Sequence, residues 1–170
     1  MFYRCTNLKF LDISGFNTSK VTAMDYMFAS CENLEILDVS SFNTISVKNM
    51  TGMFGQMYAL TNLNLKNFNT SNVTNMYGMF SESKKLVSLN ISSFDTSNVE
   101  DMGVMFFNLE NLKIIDLRNF DTSKVTNMGG MFSHCKKLEK IIVGCNFVTD
   151  GATVSNMFYG ASVSSLTKVC

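Results

Sequence analysis

The sequence repeats itself every 26 residues. The dipeptide Met-Phe marks the period and occurs at Met1-Phe2, Met27-Phe28, Met53-Phe54, Met79-Phe80, Met105-Phe106, Met131-Phe132 and Met157-Phe158. Columns of leucine, valine and phenylalanine keep the same spacing, so that one unit can be written MFxxCxxLxxLDLSxF[ND]TSxVTNMxG. A unit this short cannot bury its apolar side chains alone, and a fixed period therefore predicts that successive units stack on one another.

The apolar pattern changes within each unit. The part LxxLxL ends in alternating apolar positions, as at Leu37 and Val39, which is typical of a short strand with one buried face. Stacking the units would place these strands side by side in a parallel sheet, with identical residues of successive units in contact. We therefore expect one continuous sheet along the stack.

The second half of the unit has a different spacing. In VxxMxxMF, the residues Val73, Met76 and Met79 would lie on one face of about two helical turns. The polar segment before them predicts that Thr70 or Ser71 caps this helix. Methionine columns are compatible with an adaptable binding groove, but their helical spacing beside phenylalanine and valine favours a core under the helices.

Charge and hydropathy exclude several classes of protein. The chain has 14 basic and 14 acidic residues, so its net charge gives no attraction to nucleic acid or to an anionic membrane surface. With 46% hydrophobic residues it is expected to fold. No apolar run reaches the ~20 residues of a transmembrane segment, and the first residues lack the pattern of a signal peptide.

The motif LxxLxL, present as Leu34, Leu37 and Val39, resembles the leucine-rich repeat. From residue 1 to about 158, the whole unit resembles the BspA-like class, the 26-residue repeat of bacterial surface proteins. This resemblance implies an α/β fold, namely a leucine-rich-repeat-like right-handed solenoid of about six strand-plus-short-helix coils on one parallel sheet. It also implies an extracellular or cell-surface location and no catalytic residues.

The period slips near the end of the chain. We expect residues 1–158 to form the repeat domain, and residues 159–170 to form an irregular last coil that acts as a cap or as a junction to another module of a longer surface protein. Cys145 and Cys170 lie on either side of this boundary, near the end of the chain, and outside every column. A disulfide that closes the end of the stack and a pair of free thiols are both compatible with the sequence.

The outward face of the predicted sheet is a candidate binding surface. Its central column is polar, and we name it the Asp/Asn strip: Asp12, Asp38, Asn64, Asn90 and Asp116. These side chains either solvate the sheet or form a partner-binding strip. A calcium site at Asp12 and Asp38 is disfavoured, because calcium takes six to eight oxygen ligands. No metal and no cofactor is expected.

Nothing in the sequence favours an enzyme. The single histidine, His134, occupies a variable position, and no motif of a nucleophile, a metalloprotease or a nucleotide-binding loop occurs. Cys5, Cys31 and Cys135 share one column and are expected to be buried thiols, although a Cys5–Cys31 disulfide is sterically open. We expect a noncatalytic surface domain that mediates adhesion to a protein or glycan of a host or neighbouring cell; the alternative is a structural spacer.

Overall fold

The computed structural model describes residues 1–170, and its regular elements are five short strands. The strands are β1 (Asn62–Asn64), β2 (Ser88–Asn90), β3 (Ile114–Leu117), β4 (Lys140–Val143) and β5 (Ser165–Lys168). β1 and β2 form one parallel sheet, and β3, β4 and β5 form another. Leu63 pairs with Leu89 and Ile115 with Ile141, so neighbouring strands are one repeat apart.

The predicted solenoid of strand-plus-short-helix coils on one sheet is wrong, because the chain contains no α-helix and its strands form two separate sheets. In the segment VxxMxxMF, backbone N–H groups alternate between two kinds of partner. Met76 donates to the carbonyl of Asp101 in the next unit at 2.9 Å, whereas Met79 donates to Met76 in its own unit at 3.2 Å. An α-helix would direct both groups four residues back along the chain.

Left-handed residues explain why no helix forms. Gly78 has a φ of 60° and Glu82 has a φ of 65°. All residues of an α-helix have negative φ, so two left-handed residues in one short segment convert it into a series of tight turns. The position of Gly78 is left-handed throughout the stack, at Tyr26, Gly52, Val104, Gly130 and Asn156.

These turns carry a ladder of their own on the side opposite the strands. Single parallel bridges link Ala23 to Asn49, Asn49 to Asn75, Asn75 to Asp101, Asp101 to Asn127, and Asn127 to Thr153. The asparagine of this column also shapes the turn, since Asn75 Oδ1 accepts the N–H of Tyr77 at 2.9 Å. The period of 26 residues is therefore enforced at every step on this side.

The predicted methionine and phenylalanine core is confirmed. Apart from the exposed Met1, the methionines of the repeat are buried, and the phenylalanines of successive Met-Phe pairs stack with nearly parallel planes from Phe2 to Phe158. Ring centroids of Phe54 and Phe80 are 5.9 Å apart, and the two planes differ by 4°. A column of stacked rings and a neighbouring column of methionines thus form the centre of the stack.

The predicted helix caps are wrong, and the threonine instead joins neighbouring units. The buried Thr70 hydroxyl donates to the carbonyl of Asp95 at 2.9 Å and accepts the N–H of the same residue at 2.8 Å. Ser71 makes a local turn, with its N–H donated to Asn69 Oδ1 at 3.1 Å. The two-bond threonine contact, here called the threonine clip, recurs at Thr18, Thr44 and Thr96.

The last unit departs from the period. The Thr122 hydroxyl contacts Val148, one residue further along than the other threonine clips predict. Ile141 pairs with Leu166, one residue earlier than the strand pairing of the preceding units predicts. Residues 159–170 contain β5, which extends the second sheet. Cys145 and Cys170 are joined by a disulfide with their Cα atoms 5.0 Å apart, and this bond links the tail to the body of the stack.

Candidate binding surfaces

The Asp/Asn strip lies exposed on the strand side, where each member is the last or the penultimate residue of a strand or its equivalent. Asp38 Oδ1 accepts the N–H of Ser40 at 2.9 Å, and Asn90 Oδ1 accepts the N–H of Ser92 at 3.2 Å. The same contact to the residue two positions on is made by the other members: Asp12, Asn64 and Asp116. These side chains therefore form the turns that terminate the strands.

Local hydrogen bonds also lower the pKa values of the carboxylates in the strip. The Ser14 backbone N–H, followed by its hydroxyl, lowers the pKa of Asp12, while the Ser40 hydroxyl and then its N–H lower the pKa of Asp38. The pKa of Asp116 is lowered chiefly by the hydrogen bonds from Arg118, whose NH2 group lies 2.7 Å from Asp116 Oδ2. No group of three or more His, Cys, Asp or Glu side chains lies in a metal-binding arrangement, and the carboxylates of the strip serve their own turns.

The opposite side of the stack carries a groove that the sequence did not predict. Its rim is formed by Tyr3, Tyr26 and Tyr77, and its floor by glycines that include Gly52 and Gly55, enclosing about 250 Å³. The three tyrosines are 50%, 45% and 41% exposed, respectively. We call this groove the aromatic trough.

Glycine is required under the tyrosine rings. Gly52 has a φ of 58°, and a Cβ atom there would lie 2.5 Å from the ring of Tyr26. Gly55 is different, since its φ is negative and a Cβ atom would lie 3.4 Å from its nearest neighbour, the carbonyl oxygen of Gly52. Gly52 and Gly55 are themselves buried, and the Tyr26 ring packs against this backbone, which has no side chains to displace it.

A second groove of about 430 Å³ continues along the same side and shares Val104 with the trough. In it, the His134 ring lies edge to face between Phe107 and Tyr159, with centroids 5.5 Å and 5.3 Å away. His134 has no carboxylate or thiolate partner among its hydrogen bonds; its backbone N–H donates to the carbonyl of Tyr159 at 2.7 Å. The histidine is therefore part of an aromatic cluster.

The grooves are uncharged. None of the residues that line them is Asp, Glu, Lys or Arg, although these make up 16% of the chain. Polar contacts come from hydroxyl and amide groups: the Gln56 side chain is exposed, and its Oε1 accepts the Ser30 hydroxyl at 2.6 Å. Apolar rings with a few neutral polar groups are the usual composition of a ligand site.

A signal for the trough exists in the variable positions of the repeat. Four of the five tyrosines are within two residues of a Met-Phe pair: Tyr3, Tyr26, Tyr77 and Tyr159. The repeat pattern predicts positions that are the same in every unit, and those are core positions. The tyrosines of the trough differ between units, so the pattern does not predict them.

The column of Cys5, Cys31 and Cys135 holds free thiols. Cys31 Sγ donates to the carbonyl of Phe2 at 3.2 Å, and Cys135 Sγ donates to Phe106 at 3.0 Å. Burial raises the pKa of both thiols to about 11, so they are protonated at neutral pH and poor nucleophiles. In the same column, the Ser83 hydroxyl makes the equivalent bond to Phe54 at 2.7 Å, which indicates a structural role for the position.

The structure has no helix with the length and apolar character needed to cross a membrane. No curated protein has significant similarity to the chain. A family described as "Mycoplasma protein of unknown function, DUF285" matches in two overlapping segments, residues 1–110 and 56–168. Because these matches span nearly the whole repeat array, the chain belongs to the DUF285 family.

Proposed function

We propose that this chain is a noncatalytic binding domain of a BspA-like bacterial surface protein, and that it mediates adhesion through a protein or glycan partner. The observation that carries the proposal is the aromatic trough, where Tyr26 and Tyr77 stay exposed beside a glycine floor. Exposed tyrosines provide contact area and hydrogen-bonding groups at a low cost in conformational entropy. The Cys145–Cys170 disulfide fits an oxidising exterior, which supports an extracellular location.

The experiment compares the two sides of the molecule. Purified protein is tested on immobilised extracellular-matrix proteins, glycans and whole cells, together with variants of the trough (Tyr26→Ala, Tyr77→Ala) and of the strip (Asp38→Lys, Asn64→Lys). We expect retention on at least one partner, lost with the trough variants and kept with the strip variants. The reverse pattern would move the binding surface to the strand side.

A structural spacer is the second candidate, and the threonine clips favour it. Clips at Thr18, Thr44, Thr70 and Thr96 tie each of these units to the next, so that the stack can hold another module away from the cell surface. A spacer requires no exposed aromatic groove. Absence of retention on every partner and cell type would favour this role over adhesion.

A further inference from the structure

We infer that the aromatic trough binds an uncharged carbohydrate chain, held by stacking of sugar rings on Tyr26 and Tyr77. This inference rests on the proposed binding function and specifies the chemistry of the partner. Its starting point is the pairing of two exposed aromatic rings with a floor that has no side chains. A pyranose ring has a flat face of C–H groups, which packs on the face of an aromatic ring.

The rings are held in place by the backbone beneath them. Tyr26 lies against Gly52, where even a methyl group would contact the ring, and it meets Tyr3 at a centroid distance of 5.9 Å. The Arg4 guanidinium lies 5.2 Å from the Tyr3 ring centroid and covers part of that ring. Tyr26 and Tyr77 are thus the rings available for stacking, and their hydroxyl groups can bond to sugar hydroxyls.

The uncharged lining of the trough favours a neutral ligand over a charged one. The lining of the trough has no acidic or basic side chain, and the Arg4 cation lies over Tyr3 at its edge. An anionic polysaccharide or a charged peptide would therefore lose hydration between Tyr26 and Tyr77 without gaining an ion pair there. Gln56 and Ser81 instead provide neutral amide and hydroxyl groups along the rim. A ligand rich in hydroxyl groups and free of charge matches this lining.

The backbone of the floor disfavours a peptide that adds as a strand. Gly52 donates its N–H to Tyr77 at 2.8 Å, Gly78 donates to Gly103 at 2.9 Å, and Gly55 donates to Gly52 at 3.0 Å. These donors are already used between and within units. A peptide therefore finds no free ladder to extend, whereas a carbohydrate needs only the side chains.

The test uses isothermal titration calorimetry of the full chain. The neutral probes are maltohexaose, cellohexaose and a chitin hexamer, a hyaluronan hexamer is the acidic probe, and a pool of decapeptides is the peptide probe. We expect at least one neutral oligomer to bind, with affinity about tenfold weaker in Tyr26→Ala and Tyr77→Ala. Tyr26→Phe keeps the ring and loses only the hydroxyl, so its affinity should fall by less than in Tyr26→Ala. Gly55→Leu, which places a side chain in the trough at a negative φ, is expected to abolish binding.

Two control variants separate local from general effects. Tyr58→Ala removes a tyrosine outside the trough, and Gly15→Leu adds a side chain where no atom lies within 4 Å; both should bind as the natural protein does. Circular dichroism of every variant shows whether the fold is retained. Absence of binding to all neutral oligomers, or binding that Tyr26→Ala and Gly55→Leu leave unchanged, would overturn the inference. Binding of peptides alone would overturn it and leave the proposed adhesive function standing.

Discussion

The two sides of the stack hold neighbouring units together in different ways. On the strand side, β2 and β3 are not paired, and the two units before β1 contain no strand. On the turn side, the bridges run from Ala23 to Thr153 without interruption. The difference shows that the left-handed turns, together with the threonine clips, maintain the register, and that the sheet is a secondary contribution.

The break in the sheet has a visible effect on packing. A cleft of about 390 Å³ lies between the units of β2 and β3, and Leu89 on its edge is half-buried. The equivalent residues Leu63 and Ile115 are buried. The strand side is therefore less tightly packed at Leu89 than at the equivalent positions of the neighbouring units, which gives a direct way to test the comparison.

The largest effect is expected from Phe80→Ala, which removes a fully buried ring from the central phenylalanine column. Loss of a buried phenylalanine costs about 3–5 kcal/mol in unfolding free energy. Leu89→Ala on the strand side should cost less, about 1–2 kcal/mol, because the side chain is half-buried. Urea unfolding measures both. Equal losses would contradict the difference in packing.

The next effect concerns the last unit, where the repeat is weakest. Replacing Cys145 and Cys170 by serine should lower the unfolding free energy by about 2–4 kcal/mol, because the bond closes a chain segment with a sequence separation of 25. Alkylation followed by mass spectrometry, with and without reductant, shows whether the bond is present. Cys31→Ser is the control, since Ser83 already fills that column, and it should change stability little.

A smaller effect is expected from Thr70→Val, which keeps the shape of the side chain and removes the clip. The N–H and carbonyl of Asp95 would then lose their partner in a partly buried setting, at a cost of about 1–2 kcal/mol. Ser71→Ala, whose hydroxyl bonds only to the exposed Asn69 side chain, should cost less than about 0.5 kcal/mol. If both variants lose the same stability, the clip is not what joins the units.

Val104 offers a gain in stability on the turn side. Its φ is 48°, a conformation that β-branched residues rarely adopt, and Asn156 fills the same position in the last unit. Val104→Asn should therefore raise the unfolding free energy by about 0.5–1 kcal/mol. Val87→Asn on the strand side has no positive φ to relieve and should give no gain. Thermal unfolding of the two variants makes the comparison.

The smallest expected effect is the pH dependence of the stability that the strip contributes. The pKa values of Asp12 and Asp38 are lowered from the ordinary value of 3.8, so their contribution is complete above that value and is lost as pH falls through the folded-state pKa. In the variant with both residues changed to asparagine, the urea midpoint should fall less steeply at acidic pH. Asn64→Asp adds a carboxylate to the strip and should make the fall of the urea midpoint at acidic pH steeper. A profile identical in all three proteins would show that the strip does not contribute.

The sequence predicts the buried core of this molecule well. Period and hydropathy identify the columns of Met79, Phe80 and Leu63, because stacking forces equivalent residues into equivalent surroundings. They do not identify the sign of φ, and a helix and a series of left-handed turns bury the same positions. Gly52, Gly78 and Gly130 hint at the turns, but tyrosine and valine in the same column hide the signal.

The binding surfaces are harder to predict for a related reason. The Asp/Asn strip is visible in the sequence because it repeats, and it repeats because each member forms a turn. The aromatic trough depends on where Tyr26 and Tyr77 depart from the repeat, and on a backbone conformation that brings them to the same side. A binding site formed by residues that differ from unit to unit leaves little periodic signal in the sequence.

The threonine clip also governs how such a protein can change in length. The Thr44 hydroxyl holds the backbone of Asn69, and Thr70 holds the equivalent Asp95 in the following unit. Removal of residues 54–79 would bring Thr44 opposite Asp95, a partner of the same kind, and the phenylalanine column would close over the gap. Duplication or deletion of whole units therefore preserves the register of the clips, whereas a single inserted residue shifts only the clip that spans it, as at Thr122 and Val148. Gene rearrangement can thus adjust the length of the stack in steps of one repeat.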